Sequence, residues 1–240
     1  MKQSFSKLAC LVPRKQQMKP LLRVLSVTCL TTLAVITSPI LFLSVITLVE
    51  FLQSGYDRIR ETISMLVLGP YGWIVTIIFF LFGFLLVVFS VRLYVAVSKS
   101  ISLKVGTVLL ILVGLGFFII GIFPTQDPGT TLSLHALIHR DTAGAISILF
   151  ALACFALAFA FKAEPRWRRF WKYTIVTGSI ILILIILAVV PAFSNGQFGG
   201  LHERLLLITG LVWVTAIAIR LLVACVRERE NSSVVTSEHL

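Results

Sequence analysis

Six apolar runs, none with an Asp, Glu, Lys, Arg or His near its middle, dominate this chain and constrain its fold more than any motif does. They cover residues 24–49, 71–97, 101–123, 142–161, 171–193 and 205–226. About 20 apolar residues at a helical rise of about 1.5 Å each cross a hydrocarbon core, so every run can span a bilayer as a helix. A membrane-spanning strand needs about 10 residues and alternates in polarity, whereas these runs are continuously apolar. The mean hydropathy of +1.01 agrees. The expected fold class is an all-α integral membrane protein, a six-transmembrane-helix bundle whose first partner is the lipid bilayer. A basic segment, 1–23, precedes the membrane domain, 24–226, and a short polar, mobile tail, 227–240, follows it. The first run exceeds the apolar core of a signal peptide and has no small-residue cleavage site behind it, so it reads as a retained span.

Orientation follows from the placement of lysine and arginine. Of 21 basic residues, all but Arg58, Arg60, Arg140 and Arg204 fall in the terminal segments or beside the second–third and fourth–fifth connections. Positive charge is retained in the cytoplasm, which places both termini inside a prokaryotic plasma membrane. Six of the ten acids, Glu50, Asp57, Glu61, Asp127, Asp141 and Glu203, fall on the opposite side. The net charge of +11 therefore reports topology and argues against nucleic-acid binding. The sequence RWRRFWK at 166–172 anchors the inner interface and can hold anionic lipid headgroups. The sequon at Asn231 is cytoplasmic in this topology and is expected to carry no glycan.

The four cysteines include no close pair and no CxxC, so neither a disulfide framework nor a thiolate metal site is expected. No internal repeat is visible, and the clean span interiors speak against an ion-coupled transporter.

The chemistry concentrates in the three outer connections. His135 and His139 are four residues apart, a helical spacing at which two imidazoles can share one divalent metal such as zinc. Asp127 or Glu203 can supply a carboxylate, and a metal so held would acidify a bound water. Asp127, His135, His139 and Glu203 are thus the catalytic candidates, and His135, His139 and Asp127 the metal candidates. The competing reading makes the histidines loop caps or partners of Asp127 or Asp141. Arg204, near the start of a helix, needs a carboxylate, and Asp57, Glu61 or Asp127 would give it a structural ion pair. Ser64 becomes a nucleophile only if a base from another loop reaches it. Pro124 and Pro128 should end the third span, and Thr131 or Ser133 should cap the next helix. The small residues Gly114, Gly116 and Gly121 in the third run and Ala143, Gly144 and Ser147 in the fourth read as close-packing positions.

Ile63-Ser64 with Gly69 and Gly72-Trp73, then Gly121, Phe123-Pro124 and Asp127, then His135, His139 and Gly144, then Gly200-Leu201 with Glu203-Arg204 form an ordered set. In it the chain resembles the bacterial and archaeal multi-spanning membrane proteins catalogued as domain of unknown function 998. That family more often carries the acid one residue nearer the Phe-Pro pair; here Gln126 intervenes. The resemblance implies a six-helix membrane domain and no established reaction. Two classes stay open: an accessory or structural protein whose outer residues brace loops or bind a partner, and a metal-assisted hydrolase or transferase acting on lipid or a lipid-linked group. The cytoplasmic turns are too short to form a large docking domain.

Overall fold

The computed structural model describes residues 14–97, 99–127, 129–190 and 197–237, with side chains described between 29 and 227. The predicted basic segment up to residue 13, Pro128 and the end of the fifth predicted run lie outside them. The helices are α1 (Arg14–Leu52), α2 (Gly72–Ala96), α3 (Ile101–Ile122), α4 (Leu134–Ala163), α5 (Trp171–Leu187) and α6 (Gly199–Ser237). Short 3-10 turns at Ile63–Leu68 and Arg168–Phe170 join them, and no strand occurs among the described residues. All six helices are long and apolar enough to cross a membrane.

Each helix packs on its neighbours in chain order, and α6 returns to α1, so the six close into a ring; the seam between α5 and α6 is the thinnest. In lipid, helix association depends on close packing rather than on removing apolar surface from water. The α2 to α3 contact shows how: a Cβ on Gly83 would lie 2.6 Å from the Gly114 carbonyl oxygen. Buried Phe42, Phe79, Phe82 and Phe117 interlock beside it with ring centroids 5.0–6.4 Å apart. Outward-facing Trp73, Val95 and Ile101 are exposed, as lipid-facing residues are.

Helix ends depart from the apolar limits where polar residues continue a helix. α4 begins at Leu134 because Ser133 Oγ accepts the Ala136 amide, 3.2 Å, and α6 runs from Gly199 to Ser237, into the segment expected to be a mobile tail. Ring closure also corrects the cysteine reading. Cys29 on α1 and Cys225 on α6 form a disulfide with Cα atoms 6.1 Å apart, inside the range such a bridge requires. The 196-residue separation hid this pair, since only the closed ring brings the first and last helices together. Cys154 is buried and free. The end with this bridge is the proximal end; the end with the α1–α2, α3–α4 and α5–α6 connections is the distal end.

Candidate functional site

At the distal end, the start of α6 is pinned to the α1–α2 connection. The first amides of a helix lack intrahelical acceptors. Here those of Gly200 and Leu201 donate to the Arg60 and Ile59 carbonyls at 3.1 and 3.0 Å. Only glycine fits, because a Cβ at Gly200 would lie 2.2 Å from the Glu61 carbonyl oxygen. One turn on, Arg204 Nη2 donates to Glu50 Oε1 at 2.5 Å and to the Tyr56 hydroxyl at 2.8 Å. Its Nη1 donates to the Glu61 and Gly200 carbonyls at 3.1 and 2.9 Å. Glu50 is buried and also meets Arg58 Nε at 3.1 Å.

The acid opposite Arg204 is therefore Glu50, and not Asp57, Glu61 or Asp127. Asp57 instead accepts the Ile59 and Arg60 amides and pairs with Arg60, while Glu61 Oε2 accepts the Asp57 amide. Tyr56 donates its hydroxyl to the Glu61 and Thr62 carbonyls, and burial pushes its phenol up to about 12 despite the neighbouring guanidinium. The sequence reading groups Glu50 with the outer acids without pairing it to Arg204, because Glu50 sits one residue past a predicted apolar run. An acid so close to a membrane span is itself a sign of a buried partner.

Glu203 points the other way along α6. Its Oε2 accepts the Ile63 amide at 2.5 Å and its Oε1 accepts the Ser64 hydroxyl at 3.1 Å. Ser64 and Glu203 border a cavity of about 590 Å³ that opens inside the ring between α2, α3, α4, α5 and α6. Thr62, Ser64, His139, Arg140, His202 and Glu203 line its distal part, and Phe82, Leu86, Phe150 and Val214 its depth. Leu86 and Val214 lie 14 and 15 residues into α2 and α6, so the cavity runs about 20 Å inward along these helices. Ala143, Gly144 and Ser147 line it too. A Cβ on Gly144 would meet nothing within 4 Å, so this glycine leaves space, whereas Gly114, Gly116 and Gly121 do sit against neighbours.

The two candidate histidines diverge. His135 is exposed, its ring edge-on to Phe123 at 5.5 Å. His139 is buried, and its Nδ1 lies 2.7 Å from the Phe123 carbonyl oxygen. A carbonyl only accepts, so Nδ1 carries the proton, and in the neutral ring Nε2 is left with a lone pair. Nε2 is buried and has no partner among the described residues. Asp127 is exposed on the α3–α4 connection. The residue before it, Gln126, organises that loop by bonding Thr130, Thr131 and Ser133. Among the described residues no three His, Cys, Asp or Glu side chains form a group that could hold a metal ion. Asp141 pairs with Arg140 at 3.0 Å, and both are exposed.

The model of the family described as "Protein of unknown function (DUF998)" matches residues 35–220. The chain belongs to this family. The match covers α2 to α5 entirely and about half of each of α1 and α6, and so contains every residue of the cavity and of the Arg204 brace. No curated protein and no solved structure is detectably similar to this DUF998 member.

Proposed function

We propose that this DUF998 protein is a multi-pass plasma-membrane protein, both termini cytoplasmic, that binds an amphiphile of the outer leaflet in its distal cavity. The observation that carries the reading is His139, which lines a cavity polar at one end and aromatic at the other and whose buried Nε2 has no hydrogen-bond partner among the described residues. Ligand pockets of about 300–1,000 Å³ share this make-up of apolar walls and a few placed polar groups. A hydroxyl or protonated amine of the ligand would donate to Nε2, and its hydrocarbon would follow Phe82 and Phe150 inward. Arg140, exposed at the rim and paired there with Asp141, offers its remaining N–H donors to a phosphate or carboxylate.

A second reading, acyl or group transfer on the same amphiphile, draws on Ser64, whose hydroxyl meets the Glu203 carboxylate within that cavity. It needs no metal.

The test is photocrosslinking in nanodiscs with a diazirine-tailed phospholipid, mapped by mass spectrometry. Labels on α2, α4 and α6 residues facing the cavity are expected. Gly144→Leu, which fills free space, should abolish them. His139→Ala should weaken them about three- to tenfold, the worth of one hydrogen bond. Labelling confined to the outer surface around Trp73, or unchanged by Gly144→Leu, overturns the proposal. Release of acyl chain or headgroup that Ser64→Ala abolishes would favour the second reading.

A further inference from the structure

At the proximal end the arginines are arranged by a different rule. At the distal end arginines meet acids: Arg58 and Arg204 on Glu50, Arg60 on Asp57, Arg140 on Asp141. Arg166 and Arg169 beside the start of α5, and Arg220 and Arg227 on α6, instead face one another across a groove of about 320 Å³ with no acid paired to any of them among the described residues. Four guanidiniums gathered with no counter-charge among the described residues repel one another, and an anion relieves that repulsion.

The groove is built rather than incidental. Arg220 Nη2 donates to the Arg166 carbonyl at 3.1 Å, and its guanidinium stacks on the buried Trp167 ring at 5.4 Å. That fixes a cation whose other donors remain for a ligand. Ile219 and Val223 continue the groove on the lipid-facing side of α6, and both are exposed. A phosphate would sit among the arginines with an acyl chain along this apolar strip. Bidentate guanidinium contacts suit phosphate oxygens better than single ammonium charges do.

We infer that this groove is a specific site for the phosphate of an anionic phospholipid in the proximal leaflet, the cytoplasmic one in the proposed orientation. The site is independent of the distal cavity.

Native mass spectrometry of the full chain in detergent tests it, with dioleoylphosphatidylglycerol, dioleoylphosphatidylcholine and inorganic phosphate as probes. Phosphatidylglycerol should be retained over phosphatidylcholine. Arg169→Gln and Arg227→Gln, which leave the Arg220 anchor in place, should each lower that preference roughly fivefold. Arg60→Gln at the distal end should leave it unchanged, and thermal unfolding checks that the variants are folded. Equal retention of the two lipids, a preference that survives both substitutions, or full displacement by millimolar phosphate overturns the proposal; the last outcome would mean a free-anion site.

Discussion

Removing the charge of Glu50 should be among the most damaging single changes at the distal end. Glu50 is 8% exposed and faces two guanidiniums, one of them held by four hydrogen bonds. Breaking a buried pair from one side costs about 3–5 kcal/mol, because the remaining charge stays desolvated. In Glu50→Gln, Arg204 keeps the Tyr56 hydroxyl and two carbonyls, which places the loss near the lower end, about 3 kcal/mol. Arg204→Met removes those contacts as well and leaves Glu50 with the half-exposed Arg58, for about 4 kcal/mol. At about 2–4 °C per kcal/mol for a chain of this size, the unfolding temperature should fall by about 6–16 °C. Tryptophan fluorescence in detergent reads this. The double variant buries no lone charge, so it should lose no more than the worse single variant. Either single variant within about 2 °C of wild type, or a double variant equal to the sum, would refute the reasoning.

Gly200→Ala should cost about 1–3 kcal/mol, since the new methyl meets rigid backbone at Arg58 and Glu61; the same thermal assay reads it. Tyr56 titrates from 10.0 when unfolded to about 12 when folded, and folding favours the neutral phenol. Its contribution is complete below about pH 10 and is lost as pH rises through about 12, so Tyr56→Phe should flatten that part of the stability profile. Denatured, unreduced protein should alkylate at Cys154 but not at Cys29 or Cys225, which should react only after reduction; labelling of Cys29 and Cys225 without reductant would remove the bridge.

The spans were legible because apolarity over about 20 residues has few other outcomes. What escaped the sequence was set by distance along the chain. Glu50 meets Arg204 across 154 residues, and Ser64 meets Glu203 across 139, and no local pattern marks either pair. The spacing of His135 and His139 put both on one helical face, yet only His139 is one turn deep enough to reach the Phe123 carbonyl and the cavity. Glycines in the third and fourth spans look alike in sequence. A Cβ on Gly116 would press on Ile146, and one on Gly144 on nothing, and this depends on which helix lies opposite.

Glu203 and Arg204 are adjacent on α6, so their side chains diverge by about 100° around the axis. One turns toward Glu50 on α1, the other toward Ser64 at the cavity. The brace on Arg204 therefore also fixes the rotation of α6 that aims Glu203. Amphiphile binding and the Arg204 pair should be coupled although Glu50 does not line the cavity. Glu50→Gln, assayed at a temperature where it is folded, should reduce crosslinking inside the cavity and leave labelling near Trp73 unchanged. Undiminished crosslinking would mean that the Gly200 and Leu201 amides alone hold α6 in register, and that Arg204 contributes stability without positioning the site.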